Sequence, residues 1–370
     1  MNRRQLLALA GASFATAAGA QATDLRVTLL GQALLEHAFG PAEWPGRTAV
    51  RERLAQAHAV FTNLETVIEG PRAGAPTREL LTLHAAGPEI LDVLRDLRIN
   101  LVATANNHAF DLGSGGILDT AEALRAANLP SAGSGADLAA ASAPAFVAIP
   151  AGTVALVAFA TGKVREGGAA TPDRPGVNEV RRSDDGEILA EDRERVLAAL
   201  RSAKARADVV IAYHHNHDWE PDNTQVPEWQ RRFAKACAAA GASVFVGHGA
   251  PVLQGVEVFE GVPLFYGLGN FFFQTEKAPG AYPRESWEGA IVECGFRNGR
   301  CRSARLIPLE LNEIGLGGAD DMATRGAPSL ASPETSRRIL ERLAGRSAPF
   351  GTVIRTAGPE CELVLPASSD

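Results

Sequence analysis

The stretch VVIAYHHNHD at residues 209–218 says most about the fold. Its first half, Val209 to Tyr213, is a short apolar run typical of a strand buried on both faces of a sheet. The second half contains three histidines, an asparagine and an aspartate. In an open α/β sheet, ligands bind in the crevice outside the carboxyl ends of the strands. The stretch therefore predicts a buried strand that ends at a functional site.

The same order, an apolar run followed at once by polar side chains, recurs three times. The other examples are residues 59–62 before Asn63-Leu64-Glu65, residues 100–105 before Asn106-Asn107-His108, and residues 243–246 before Gly247-His248. Residues that follow successive parallel strands meet at one edge of the sheet, so we expect these groups to converge. Imidazole, carboxylate and amide oxygen are ligands of borderline or hard metals. The pattern predicts a site for one or two divalent ions, with Mn or Zn as the expected metal.

Roles are assigned to these residues by their chemistry. The predicted metal ligands among them are Glu65, Asn107, His215, His217 and His248. The predicted catalytic residues are His108, as general acid or substrate-orienting group, and Asn107. The predicted substrate contacts are Arg174, Trp219, Asn63 and Asn106. Simpler interpretations stay open, because histidines of a surface loop can be solvated and asparagines commonly cap turns.

The order of elements predicts an α/β fold. Strand and helix patterns alternate up to about residue 250, and successive strands follow from Val256. Two packed sheets with helices outside, a layered sandwich, account for that change of pattern. We expect one domain at residues 23–312 and a C-terminal extension, 313–370, packed on it. Ser332-Pro333-Glu334 predicts the start of a helix in this extension that ends before Gly345.

The first 22 residues predict an export signal. Arg3-Arg4 precede an Ala/Leu/Gly-rich stretch, and Ala20-Gln21-Ala22 fits a small-x-small cleavage site. The arginine pair favours the twin-arginine type, with an ordinary secretory signal as the alternative. We therefore expect a periplasmic or otherwise exported protein without a transmembrane segment in the mature chain.

Charge narrows the classes of partner. The chain has 36 basic and 43 acidic residues; without Arg3 and Arg4 the balance is 34 against 43, or −9. An acidic chain without a basic stripe argues against nucleic acid as a partner. An anionic substrate would need local cations in the site. Cys294 and Cys301 flank an Asn-Gly turn and are placed to face each other across a hairpin, where a disulfide is possible.

Several motifs together resemble the CapA family, named for poly-γ-glutamate capsule synthesis. They are Asn63-Leu64-Glu65, the run from Asn106 to Gly113, Gly247-His248-Gly249 with Val252 to Gly255, Arg174 to Asn178, Pro263 to Phe271, and Phe350-Gly351-Thr352. This family is related to the calcineurin-like metallophosphoesterases. The resemblance implies a four-layer αββα sandwich of the metallo-dependent phosphatase type, with a two-metal site at the strand ends.

Two positions depart from the family pattern. Gly31-Gln32 stands where relatives have Gly-Asp, and Gly249-Ala250-Pro251 stands where they often have Gly-Pro-His. The resemblance therefore implies Gln32 as an assisting metal ligand, although a neutral amide binds metal more weakly than a carboxylate; proline has no ligand atom. The leading hypothesis is a metal-dependent hydrolase or transferase acting on an anionic envelope polymer or a phosphoester, with other envelope-biosynthesis proteins as possible partners. The alternatives are a polymer-binding factor with a degenerate metal site and, third, a metal-storage or metal-sensing protein.

Overall fold

Two large mixed β-sheets form the centre of the protein. The computed structural model describes residues 24–39, 44–219 and 221–366, so the predicted export signal lies outside the described residues. The strands are β1 (Leu25–Leu34), β2 (Ala59–Leu64), β3 (Val67–Ile68), β4 (Ala85–Ala86), β5 (Leu101–Ala103), β6 (Ser131–Ala132), β7 (Ser134–Gly135), β8 (Ala145–Ile149), β9 (Gly152–Thr161), β10 (Gly176–Val177), β11 (Val209–Asn216), β12 (Val244–His248), β13 (Val256–Phe259), β14 (Val262–Phe265), β15 (Asn270–Phe273), β16 (Glu288–Arg297), β17 (Arg300–Leu311), β18 (Pro328–Leu330), β19 (Ile354–Ala357) and β20 (Glu360–Leu363). The helices are α1 (Arg47–Leu54), α2 (Ile90–Asp96), α3 (Gly113–Ala126), α4 (Leu138–Ser142), α5 (Ala190–Lys204), α6 (Glu228–Ala239) and α7 (Pro333–Ser347). Short 3₁₀ turns lie at Leu80–Thr82, Arg284–Trp287 and Ala348–Phe350.

The first sheet has the order β19-β20-β17-β16-β1-β2-β5-β6, with β15 paired to the end of β1 and β18 paired to β17. Strands β1, β2, β5 and β6 are parallel, while β16, β17, β19 and β20 continue the sheet in antiparallel pairs. The second sheet has the order β13-β14-β12-β11-β9-β8. Its four inner strands are parallel, and its two edge strands are antiparallel to their neighbours. The α/β class predicted from the sequence is confirmed.

Strand alternation divides the apolar side chains among three cores. Along β11, Ile211 and Tyr213 belong to the core shared by the two sheets, where Tyr213 packs on Phe61 of β2 with ring centroids 5.4 Å apart. The intervening Val210 and Ala212 belong to a second core, with residues of α5 and α6. A third core joins the other face of the first sheet to α1 and α2. The side chains of the apolar run therefore pack into two cores, one on each face of the sheet. This explains why apolar and polar residues do not alternate along the run.

The C-terminal segment completes the first sheet. Strands β18 and β20 both pair with β17, and helix α7 begins as predicted, with the Ser332 Oγ accepting from the backbone N–H of Thr335 at 3.2 Å. The predicted end before Gly345 is wrong. The helix continues to Ser347, whose hydroxyl accepts from the backbone N–H of Val256 and so fixes the last turn against β13.

Cys294 and Cys301 are buried on neighbouring positions of the β16–β17 hairpin, and both are free thiols here. Among the described residues, none of the helices has both the length and the apolar character needed to cross a bilayer.

Candidate metal centre

Strand ends from both sheets place polar side chains at one edge of the molecule. Glu65 follows β2, His108 follows β5, and His215 and His248 are in register on the neighbouring parallel strands β11 and β12. The backbone N–H of His217 bonds to the carbonyl of Thr161 at the end of β9, at 2.8 Å, which continues the extended path past the end of β11. The convergence expected from the sequence is what the geometry shows.

Glu65, His215 and His217 form the closest group of ligand atoms. One ligand atom from each residue lies within 4.8 Å of the other two, and the carboxylate Oε1 of Glu65 is 3.5 Å from the Nε2 of His215. Asn107 joins this group, since its Oδ1 lies 2.8 Å from the same Nε2. Four of the predicted ligands are therefore adjacent. The arrangement offers two imidazole nitrogens, one carboxylate and one amide oxygen, which suits a divalent cation.

Buried atoms without partners indicate that this group fits a cation. Both ring nitrogens of His217 and the Oε2 of Glu65 are inaccessible and make no hydrogen bond within the described residues. Leaving such groups buried and unsatisfied costs free energy, so each one needs an explanation. Burial raises the pKa of Glu65 to about 8, although Arg78 lowers it, and burial lowers the pKa of His217 well below its usual range. A divalent ion would satisfy one ring nitrogen of His217 and the Glu65 oxygen, and it would keep the carboxylate ionised.

Tyr213 and Asn107 hold the ring of His215 from opposite sides. The Tyr213 hydroxyl is 3.1 Å from Nδ1, while Asn107 faces Nε2. Burial, with smaller effects of neighbouring histidines, lowers the pKa of His215 well below its ordinary value. The ring is therefore neutral, with one nitrogen a donor and the other an acceptor. Because a hydroxyl both donates and accepts, Tyr213 can serve either tautomer, including the one that presents the Nε2 lone pair.

His248 and Gln32 lie beside this group. Neither ring nitrogen of His248 makes a hydrogen bond within the described residues. The ring packs on Tyr213 with ring centroids 5.3 Å apart, and burial lowers its pKa to about 3. Gln32 directs its Oε1 to the backbone N–H of Gly249 at 3.1 Å. The amide oxygen expected to assist metal binding is thus engaged with the turn that follows His248, and its metal role stays a prediction.

His108 is held by a carboxylate on its own turn. Its Nδ1 lies 2.8 Å from the Oδ2 of Asp111, which is completely buried, and Arg78 pairs with the other oxygen of Asp111. Burial lowers the pKa of His108 well below its usual range, with help from the charges of His84, Arg78 and Arg165, and burial raises the pKa of Asp111 to about 6. In the neutral ring, Nδ1–H donates to Asp111 and Nε2 carries the lone pair. His108 must therefore take up a proton before it can donate one.

Four residues of this region were missed or misjudged from the sequence. Asp111 was expected to be solvated or to flank a helix; it is buried, and the spacing of three residues from His108 was the available signal. Arg78 bonds both Asp111 and the Asn107 carbonyl from a polar loop that has no motif. Glu36 and His84 form a buried pair, and the ring of His84 is 4.2 Å from that of His108. No pattern in the sequence connects the segments that contain Glu36 and His84.

The predicted substrate contacts are placed differently from one another. Asn63 and Asn106 are buried; Asn106 donates to the Asn63 Oδ1 at 3.1 Å and accepts from the backbone N–H of His108 at 3.0 Å, so both amides hold the site loops. Trp219 packs on His217 with ring centroids 4.7 Å apart. Arg174 is exposed and donates to the Ala169 carbonyl. Their roles toward a substrate stay predictions.

His214 faces away from the site. Its ring stacks on Phe159 at 5.0 Å and its Nε2 lies 3.0 Å from the Thr161 hydroxyl, on the helix side of the second sheet. Burial lowers its pKa to about 3. His215 and His217 are the predicted ligands of this segment, and because successive residues of a strand face opposite sides, His214 cannot join them.

Comparison with known proteins agrees with these motifs. The profile of the family described as "Bacterial capsule synthesis protein PGA_cap" matches residues 27–275, which is more than half of the chain. The chain belongs to this family. The matched region contains every candidate ligand and His108. The resemblance to CapA proteins stated from the sequence is confirmed.

Individual relatives are similar at moderate identity. The chain is 33% identical to "PGA biosynthesis protein CapA" of Bacillus subtilis over 233 residues, covering 61% of this chain and 54% of the relative. It is 28% identical to "Capsule biosynthesis protein CapA" of Bacillus anthracis, covering 62% of this chain and 52% of the relative. "Uncharacterized protein y4uA" of Sinorhizobium fredii is 27% identical over 420 aligned positions, covering 88% and 90% of the two chains. The chain thus spans about half the length of the two CapA proteins.

Proposed function

We propose that the protein is an exported, metal-dependent hydrolase or transferase that acts on an anionic polymer of the cell envelope, similar to poly-γ-glutamate, or on a phosphoester. The observation that carries the proposal is the convergence of Glu65, His215 and His217 to within 4.8 Å, with partnerless buried atoms on two of them. The names of the capsule-biosynthesis relatives support the polymer as substrate. The export signal at 1–22, the domain at 23–312 and its extension at 313–370 belong to the same proposal.

The layer order supports the fold that such an activity implies. A core between two sheets, with a helix-facing core on either side, is the arrangement expected of a four-layer αββα sandwich of the metallo-dependent phosphatase type. In that architecture the strand ends of both sheets border one crevice, where Glu65 of the first sheet meets His215 of the second.

The site residues would have two separate roles, metal binding and proton transfer. Glu65, His215, His217 and Asn107 would hold the ion, with His248 next to them. When bound, a divalent cation such as Mn or Zn supplies Lewis acidity and lowers the pKa of a bound water to near ~7. His108, oriented by Asp111, would carry a proton at Nε2 toward the leaving group. Burial of the ligands keeps bulk water out of the site, which strengthens each electrostatic contact.

Metal content and turnover in matched histidine variants test the proposal. His217→Ala should lose the metal, whereas His214→Ala, which removes a buried histidine of the same strand on the opposite face, should retain it. Metal is measured by elemental analysis, and turnover is measured with Mn on poly-γ-glutamate and on a phosphodiester. His108→Ala should keep the metal and lose turnover. Wild-type protein that holds no metal after expression with its export signal would remove the hypothesis.

A polymer-binding factor without catalysis is the second candidate. It is favoured by the engagement of the Gln32 oxygen with Gly249 and by Pro251 in place of a further imidazole. Both features reduce the number of ligands available to a second ion. Polymer binding without turnover, unchanged in His108→Ala, would support this candidate against the enzyme.

A further inference from the structure

A loop with two cations leaves the second sheet directly beside the candidate metal centre. This cationic loop, residues 162–168, follows β9 at Thr161, whose carbonyl accepts from the backbone N–H of His217. At its other end, the position that a Cβ on Gly168 would occupy is 3.1 Å from the Cβ of Phe110, two residues beyond His108. The loop therefore extends from the metal ligands to the proton-carrying histidine.

Lys163 lies on the metal side of this loop. Its Nζ is 5.4 Å from the ring centroid of Trp219, which in turn packs on His217. Lys163 is also one of few non-glycine residues with a left-handed backbone, at φ 54°, and it follows Gly162 at φ 77°. That conformation is disfavoured for a lysine. Strain of this kind concentrates at functional sites, and here it places an ammonium group beside His217.

Arg165 lies on the side of His108. Its carbonyl accepts from the backbone N–H of Gly168 at 2.7 Å, and Gly168 adjoins Phe110, two residues beyond His108. Its charge is also among the effects that lower the pKa of His108, after burial and the charges of His84 and Arg78. The Nε of Arg165 is buried and makes no hydrogen bond within the described part of the chain. A guanidinium presents its N–H groups as a planar fork that matches a carboxylate or phosphate in two-point contact. Arg165 is thus missing an acceptor.

The other cations near the site are already paired. Arg78 pairs with Asp111, and Arg182 pairs with Asp218. Within residues 24–39, 44–219 and 221–366, no carboxylate lies within 4 Å of Lys163 or Arg165. A partly buried guanidinium without a counter-charge is costly. Arg165 is half-buried and Lys163 is exposed. In a chain that is acidic overall, two unpaired cations on one loop beside the metal centre leave an anion as the expected partner.

We propose that Lys163 and Arg165 bind two anionic groups of the substrate, one on each side of the metal centre. The inference rests on the proposed function and assigns to that site the recognition of a ligand with repeated negative charges. A γ-linked glutamate chain presents carboxylates in series, and a phosphoester presents phosphate oxygens. The shared chemistry is a pair of oxyanions.

Binding to metal-free protein tests the assignment without relying on activity. The wild type, Lys163→Gln, Arg165→Gln and Arg165→Lys are treated with EDTA and titrated with a defined γ-glutamate oligomer and, separately, with a phosphodiester. Arg300→Gln is the matched control, since Arg300 is an exposed arginine on the hairpin at the amino end of β1, opposite the site. Thermal unfolding of each variant establishes that it is folded.

Each glutamine variant should weaken oligomer binding roughly tenfold or more, the effect expected of one charge-assisted contact. Arg165→Lys should recover part of the loss, the salt dependence of binding should become shallower in both glutamine variants, and Arg300→Gln should match the wild type. If the variants instead weaken only phosphodiester binding, the anion site stands and phosphate is its ligand.

The outcomes separate the two proposals. Wild-type binding that is unchanged in Lys163→Gln and Arg165→Gln overturns the inference while leaving the metal-dependent function in place. Wild-type protein that binds neither probe and holds no metal overturns both.

Discussion

Removing the Tyr213 hydroxyl should weaken metal binding without disturbing the shape of the site. Tyr213 is completely buried, its ring packs on Phe61 and His248, and its oxygen lies 3.1 Å from the Nδ1 of His215. Phenylalanine keeps these ring contacts. What Tyr213→Phe removes is the hydrogen-bond partner that holds the ring of His215 in its orientation.

Two effects follow, and their sizes differ. The Nδ1 of His215 becomes a buried polar atom without a partner, which should lower the free energy of unfolding by about 1–3 kcal/mol. Groups that orient a metal-bound imidazole are worth roughly 10–100-fold in metal affinity, so the dissociation constant should rise by that factor. A loss of stability is expected for any buried hydroxyl that is removed, whereas a loss of metal affinity is expected only for a hydroxyl that orients a metal ligand.

Tyr266→Phe provides the control. Tyr266 is also buried, and its hydroxyl donates to the Oε2 of Glu257 at 2.7 Å, on the opposite face of the second sheet. Both variants should lose stability in denaturant titrations of EDTA-treated protein. Only Tyr213→Phe should lose affinity when Mn or Zn is titrated calorimetrically. Wild-type affinity in Tyr213→Phe, or an equal loss in Tyr266→Phe, would refute the role given to His215.

Three further changes have defined outcomes. Glu65→Gln should abolish metal binding, which calorimetry measures. It should leave the metal-free protein as stable as the wild type in denaturant unfolding, because the Oε2 of Glu65 makes no hydrogen bond within the described residues. Asp111→Asn removes the counter-charge of Arg78, whose side chain is 9% exposed, and should cost about 3–5 kcal/mol of unfolding free energy, together with turnover. Burial raises the pKa of Asp192, but hydrogen bonds from Arg181 and Arg195 lower it more, so its folded pKa lies below the unfolded value. Its stabilisation is therefore present above pH ~4 and lost as the pH falls through the folded pKa, and Asp192→Asn should lack this acid dependence in unfolding titrations.

Strands and their ends were predictable because apolar runs are long and local. Strands β2 and β11 begin at Ala59 and Val209, where the apolar runs begin, and continue into the polar residues that follow; β13 begins at Val256, where successive strands were expected. Alternation along an extended chain also accounts for His215 and His217 sharing a face. These inferences need only neighbouring residues and the geometry of a strand.

Contacts that depend on loop paths were not predictable. Arg78 reaches Asp111 from 33 positions earlier, and Glu36 meets His84 across 48 positions, with no periodic pattern between them. Arg174 was chosen from the long loop after β9 for its chemistry, whereas the same loop places Lys163 and Arg165 toward the site. Composition identifies a cation in a loop, but only the fold decides which cation lacks a partner.

For the proposed metal centre we predict one ion rather than two, and Gln32 is the residue that tests this. The Gln32 oxygen accepts from the backbone N–H of Gly249, which has a left-handed φ of 106° and no room for a Cβ against the Asn216 carbonyl. Gln32, at the position of the family's acidic ligand, thus supports the turn after His248. The ring nitrogens of His248 make no hydrogen bond within the described residues. Elemental analysis should find one metal per chain in the wild type. Gln32→Asp returns a carboxylate next to His248 and should raise the count toward two, at some cost in stability from the lost contact with Gly249. Two ions in the wild type would show that His248 and a neutral amide are sufficient for the second ion, and the argument from Gln32 would fail.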